Sequence, residues 1–149
     1  MYGQWIFLIM DNPLTTSIIL SKKLSAEYKT IKAMVRIYCR SHHNTHGLCA
    51  DCISFLDYAF IRLDRCPYGE EKPTCNKCPI HCYKPAEKKQ AKTMMGFAGA
   101  RMLLRHPIMA VDHLWREYIP VPKEVPKANS NRHLRLSDSK KIQTDPTYD

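Results

Sequence analysis

Two cysteine pairs, Cys49-x2-Cys52 and Cys75-x2-Cys78, have the spacing of metal knuckles, and the second runs on to Cys82 three residues later. With Cys39 and Cys66 they make seven, all within residues 39–82 of a 149-residue chain. His42, His43, His46 and His81 lie among them. Thiolate sulfur is a soft ligand, and four such groups suit either a tetrahedral Zn2+ ion or an iron–sulfur cluster. A lone cysteine is more often a small buried hydrophobe. Seven in so short a stretch, with two knuckle pairs, point to metal or cluster binding, with redox-active thiols as the competing reading.

Chain entropy favours the grouping whose members are already close in sequence. Cys66, Cys75, Cys78 and Cys82 therefore form one expected site. Cys39, Cys49 and Cys52 form a second that needs a fourth ligand, supplied by His43, or by His42 in its place, since both lie within one helical turn of Cys39. Alternatively the two C-x2-C pairs share one ion, as in a zinc ribbon, which releases Cys39, Cys66 and Cys82 for other duties. His81, His106, His113 and His133 read as surface or packing residues.

The elements that must hold these groups are helices. Tyr28, Ile31, Val35 and Tyr38 recur at three and four between Ser25 and Cys39, the stripe of an amphipathic helix. Asn44-Thr45-His46-Gly47 breaks it, and Leu48, Cys52, Phe55, Leu56, Ala59, Phe60 and Leu63 mark a second helix. Residues 66–82 have no period and are punctuated by Pro67, Pro73 and Pro79, so they form a loop that needs a tie. Pro85 opens a third helix along Ala91, Met94, Met95, Ala98 and Met102 towards Arg105. Pro107 ends or bends that helix, and Ile108, Val111, Leu114, Trp115 and Tyr118 mark a fourth. The methionines Met94, Met95, Met102 and Met109 have the spacing of core fillers.

The fold class expected is mainly α: a small domain of three to four helices at residues 25–118 with a metal-stapled, cysteine-rich loop. It is flanked by a poorly ordered extension at residues 1–24 and a Pro-rich disordered tail at residues 119–149. The apolar run Trp5–Met10 is too short to span a membrane. An odd cysteine number and no secretory signal argue for reduced thiols and a cytoplasmic location.

The net charge of +9 is unevenly spread. Residues 22–40 and 84–106 each carry six Lys and Arg against one Glu, while residues 41–83 carry four against five acids. Two basic segments bracketing a neutral cysteine block invite an anionic partner, nucleic acid included. Lys84, Lys88, Lys89 and Lys92 cluster where a helix macrodipole is already positive, although a solvated face explains them equally. No phosphate-binding loop, Ser–His–acid set or paired-carboxylate motif is present, and Asp57 with Asp64 reads as the polar face of the second helix. Enzyme readings start low.

Several stretches together carry a family likeness. They are Met34-Val-Arg-Ile-Tyr-Cys-Arg-Ser-His-His43, Leu48-Cys-Ala-Asp-Cys52, Leu63-Asp-Arg-Cys-Pro-Tyr-Gly-Glu-Glu71, Cys75-Asn-Lys-Cys-Pro-Ile-His-Cys-Tyr-Lys-Pro85 and Gly99-Ala-Arg-Met-Leu-Leu-Arg-His-Pro107. The chain resembles the bacterial nitrous oxide-stimulated promoter proteins from Ser25 to Glu117, with residues 1–24 and the Pro-rich end outside the likeness. The resemblance implies expression under nitrogen-oxide stress and leaves the chemistry to the cysteines. The first expectation is thus a small cytosolic protein that binds Zn2+ or an iron–sulfur cluster in the response to nitric oxide. A zinc-stabilised nucleic-acid binder or regulator and a thiol redox protein are the alternatives.

Overall fold

The structure, a computed structural model, describes residues 21–126 and 130–144. Most of the expected N-terminal extension, residues 1–20, and parts of the expected tail, 127–129 and 145–149, lie outside the described residues. Five α-helices and one 3-10 turn make up the regular structure, and there is no strand among the described residues.

The first helix, α1 (Lys22–His42), starts three residues before the expected boundary because Ser21 caps it. The Ser21 hydroxyl accepts the Leu24 N–H at 3.1 Å, satisfying one of the donors that a helix start leaves open. At the other end the backbone reverses at Asn44, in the left-handed region at φ 49°, which asparagine tolerates better than most residues. The second helix, α2 (Ala50–Asp64), follows with Cys49 as its N-cap. Between α2 and α3 (Pro85–Arg105) the chain is a loop broken by a 3-10 turn at Gly69–Glu71, where Gly69 adopts φ 53°. Pro85 opens α3 and Pro107 opens α4 (Pro107–Tyr118), with His106 shared between the two ends. Proline at a helix start sacrifices only an N–H that had no partner. Pro107 therefore separates two helices by starting the second.

α1 is the central element, packed against α2 on one side and α3 on another. Leu24, Ile31 and Val35 of α1 meet Phe55, Leu56, Ala59 and Leu63 of α2 and Ala91 and Met94 of α3, in a core that also contains Cys39, Cys52 and Cys66. A second cluster joins Ala33, Met34 and Ile37 to Ala98, Met102 and Ala110. The methionines fill the core as their spacing predicted: Met94 and Met102 are buried, and Met95 and Met109 pack against the clusters.

A buried ionic knot fastens α1 to the loop and to α4. Glu27 of α1 takes Arg116 of α4 at 3.1 Å and Lys72 of the loop at 3.9 Å. Arg116 also pairs with Asp112 at 2.7 Å. Such a knot specifies an arrangement more than it adds stability, because each ion must first lose its water.

Three features differ from the sequence reading. Residues 131–144, expected within a disordered tail, form α5 (Asn131–Thr144). Its anchor is polar: Asn131 Nδ2 donates to Asp64 Oδ1 at 2.5 Å, and Arg135 Nη2 meets Asp64 Oδ2 at 2.8 Å. Asp64 is thus buried at the end of α2 and is not part of a solvated face. In α4 the apolar stripe Ile108, Val111, Leu114, Trp115 and Tyr118 points outward, and the buried side is Ala110. No helix among the described residues is long and apolar enough to cross a membrane.

Candidate metal centre

Where α1 runs into α2, four donor groups converge. Cys39 lies in the last turn of α1, His43 is the C-cap, Cys49 is the N-cap of α2 and Cys52 sits in its first turn. The helix hairpin supplies the register: four residues separate Cys39 from His43 and three separate Cys49 from Cys52, so each pair shares one face of one helix end. Their ligand atoms, three Sγ and one His nitrogen, all lie within 4.8 Å of one another. His43 Nδ1 is 3.0 Å from Cys49 Sγ and 3.6 Å from Cys52 Sγ. A tetrahedral zinc with bonds of about 2.0–2.3 Å requires ligand-to-ligand edges of roughly 3.3–3.8 Å, so the set needs only small adjustments to close round one ion.

Burial divides the four. Cys39 and Cys52 are fully enclosed in the core, whereas His43 is exposed and Cys49 half-buried. The group is therefore anchored on its inner side and open to solvent on its outer side. Around Cys39 stands a ring of hydrogen-bonding groups that the spacing arguments missed. The Cys49 backbone N–H donates to Cys39 Sγ at 3.3 Å, and the Thr45 hydroxyl lies 3.5 Å from it while also reaching the Gly47 carbonyl at 2.8 Å. Burial alone would push the Cys39 thiol up. The Thr45 hydroxyl, the Cys49 N–H and the His43 and Cys52 side chains outweigh burial and bring Cys39 down to about 6. Cys52 moves the other way, raised by burial and then by its hydrogen bonds to Cys49 and Cys39. Without a metal, one thiolate is favoured and its neighbour keeps its proton. A divalent ion removes that conflict by taking the charge of both.

The structure distinguishes the two histidines. His42 stacks on Tyr38 with ring centroids 4.1 Å apart, meets Phe97 edge-on at 4.4 Å and places Nδ1 3.1 Å from the Tyr38 carbonyl. Those contacts hold His42 on the aromatic side of α1, while His43 joins the thiols. The ribbon-like pairing of both C-x2-C pairs finds no support, because Cys49 and Cys52 meet Cys39 and His43, not Cys75 and Cys78.

The other four cysteines occupy the loop. Cys66 is buried just past α2, Cys78 is half-buried against the same core, and Cys75 and Cys82 are exposed. Their sulfurs do not close into a group as tight as the helix-end set. Tyr83, next to Cys82, is held edge-on between Phe55 and Tyr58 at 6.2 and 5.3 Å, which fixes the loop's exit against α2. The lysines at the start of α3 face solvent for the most part, with Lys88 Nζ 3.4 Å from His81 Nδ1.

An all-helical domain with a Cys3His group that can hold a metal ion is therefore what the fold and site define. A family model described as nitrous oxide-stimulated promoter matches residues 22–126, and the chain belongs to that family. The match extends beyond Ser25–Glu117 on both sides, to the start of α1 and into the proline-rich stretch. An Escherichia coli K12 protein described as uncharacterized protein YgbA is 43% identical over 102 residues, covering 68% of this chain and 87% of that protein. No solved structure matches the chain significantly.

Proposed function

We propose that this is a small metal-binding protein of the response to nitrogen oxides, in which Cys39, His43, Cys49 and Cys52 hold one Zn2+ ion. The observation that carries the reading is the convergence of three sulfurs and one imidazole nitrogen within 4.8 Å at a helix hairpin. Three features favour zinc: the close spacing, the mixed S/N donor set and the tetrahedral fit. Four protein ligands leave no open position, which is the arrangement of structural zinc sites and not of catalytic ones. The family description supplies the context of nitrogen oxides. The half-buried Cys49 and exposed His43 supply the route, since they are the edge of the group that a small solute reaches.

The chemistry available there is transfer of a nitroso group from a small S-nitrosothiol to the Cys49 sulfur. The donor leaves as its own thiolate, and the protein sulfur loses its charge and its affinity for the ion. Zinc-loaded full-length Cys75→Ser/Cys78→Ser protein, in which only the helix-end group can hold an ion, should release one zinc per chain to a chromogenic chelator when treated with S-nitrosoglutathione, and thiol reductant should restore binding. Retention of zinc under an excess of the donor would remove the link to nitrogen oxides. Failure to bind zinc at all would remove the metal reading as well.

A further inference from the structure

Lys72 is the buried cation that the helix-end site leaves unexplained. Its side chain is only 6% exposed, yet it carries an ammonium that burial should penalise. Its Nζ lies 3.1 Å from the Pro73 carbonyl, 3.4 Å from Cys75 Sγ and 3.9 Å from Glu27 Oε2. Glu27 is shared with Arg116, which stands closer to it at 3.1 Å. The nearest atom to Lys72 able to carry a full negative charge is thus the Cys75 sulfur.

The other loop thiols share that neighbourhood. The Ile80 carbonyl accepts the Cys82 N–H at 2.8 Å and the Cys78 thiol at 3.4 Å, so those two residues turn about one backbone oxygen. The backbone is already turned as a knuckle: the Thr74 carbonyl accepts the N–H groups of both Lys77 and Cys78 at 3.0 Å. Cys66 and Cys78 touch the same core cluster, and Tyr83 pins the chain beyond Cys82. Thr74 Oγ1 and Tyr83 Oη, the polar atoms flanking this set in sequence, are both buried without a hydrogen-bond partner among the described residues. Cys66 lies past the far end of α2 from Cys49, about 20 Å along the helix, and no loop sulfur joins the four helix-end ligand atoms.

We propose that Cys66, Cys75, Cys78 and Cys82 bind a second soft divalent ion, Zn2+ or its probe Co2+, as a tetrathiolate, with Lys72 as a positioning residue that donates an N–H···S bond to Cys75. Four thiolates on a divalent ion leave two negative charges uncompensated, and a buried ammonium in contact with one sulfur offsets part of that excess. Hydrogen bonds from outside a metal's ligands typically change its affinity by about 10- to 100-fold, which sets the effect expected of Lys72. The proposal rests on the reading of the chain as a metal binder but uses none of the helix-end ligands, so the two fail separately.

Anaerobic titration of the metal-free full chain with Co2+, followed by the sulfur-to-cobalt charge-transfer band, tests it. Saturation is expected at two ions per chain. Cys75→Ser/Cys78→Ser should saturate at one, losing four of the seven Co–S bonds, and Cys49→Ser/Cys52→Ser should saturate at one while keeping the loop's four. Saturation of the wild type at one ion, or a Cys75→Ser/Cys78→Ser protein that still takes two, overturns the second centre. A Cys49→Ser/Cys52→Ser protein that still takes two ions contradicts the helix-end reading instead. Should the loop variant fail to fold, X-ray absorption of the zinc-loaded wild type decides, since two centres require seven sulfurs to one nitrogen and the helix-end group alone requires three to one. Lys72→Met should weaken Co2+ at the loop by about tenfold with the helix-end band unmoved, and Lys72→Arg should recover part of the loss. Equal affinities in Lys72→Met and wild type would remove the role of Lys72.

Discussion

The two thiol-rich regions lie at opposite ends of α2, and they are held in place by different physics. At its N-terminus the ligands are fixed by helix geometry: two end a helix, two begin one, and Cys39 and Cys52 are core residues. Past its C-terminus the thiols sit on a loop whose placement comes from a buried ion pair, an aromatic clamp and a single 3-10 turn. The first region is preorganised before any ion arrives, because its positions follow from packing. The second is arranged by polar contacts that are individually weak, so an ion there has more ordering left to do.

The largest expected effect separates the regions directly. A structural zinc in a small domain contributes an apparent binding free energy of about 10–16 kcal/mol, which is comparable with the entire stability of a small domain. Because core packing already sets the helix-end positions, Cys49→Ser/Cys52→Ser should give the largest fall in melting temperature followed by circular dichroism while leaving a folded metal-free protein. Cys75→Ser/Cys78→Ser should lower the melting temperature but keep a single cooperative step, because α1 and α2 remain joined. The reverse order of severity would break the comparison and make the loop the organising site.

A smaller effect is expected where α2 meets the C-terminal helix. Asp64 holds both Asn131 and Arg135, so Asp64→Ala should detach α5 and cost about 2–3 kcal/mol in chemical denaturation, less than a fully enclosed pair because Arg135 is 29% exposed. Limited proteolysis should cut before α5 in the variant and not in the wild type. Helix-end metal affinity should stay unchanged, and a drop there would show that α2 does not insulate its two ends.

The helix-end group should also make the metal-free protein pH-sensitive. Cys39 is held at about 6 in the fold against an ordinary value of 9.0. Between these values the unfolded chain binds more protons than the folded one, so stability should rise with pH across that window and be lost as pH falls through 6. Cys52, raised in the fold, acts above 9 with the opposite sign. Denaturation midpoints of metal-free protein at pH 6 and pH 8 test this, and Cys39→Ser should flatten the difference. The smallest effect belongs to the outward face of α4: Trp115, 71% exposed, should cost no more than about 0.5 kcal/mol as Trp115→Ala.

Much of this architecture was legible in the residues. Period-3.6 stripes located α1 to α4, Pro85 marked a helix start, and the prolines at 67, 73 and 79 marked the loop. Spacing suggested Cys39, Cys49, Cys52 and a histidine as one group but left the pairing of the two C-x2-C motifs open, and the structure brings together the helix-end four. His43 could not be separated from His42, because both are within a turn of Cys39, and only the aromatic stack of Tyr38, His42 and Phe97 decides which ring turns inward. α5 was missed because it lacks an apolar stripe and is tethered through Asn131 and Arg135 to an aspartate 67 and 71 residues away. Periodicity cannot see such a tether. Thr45 and Lys72 were missed for a similar reason: a hydroxyl in a turn and a lysine in a loop have no pattern until the fold places them beside sulfur.

The proposed helix-end ion is tested most directly through its ligands. X-ray absorption at the zinc edge of the full-length Cys75→Ser/Cys78→Ser protein isolates that group whatever the loop binds. One zinc per chain is expected, with three sulfurs and one imidazole nitrogen from Cys39, Cys49, Cys52 and His43. A protein without zinc, or zinc in a shell of oxygen or of sulfur alone, would contradict it.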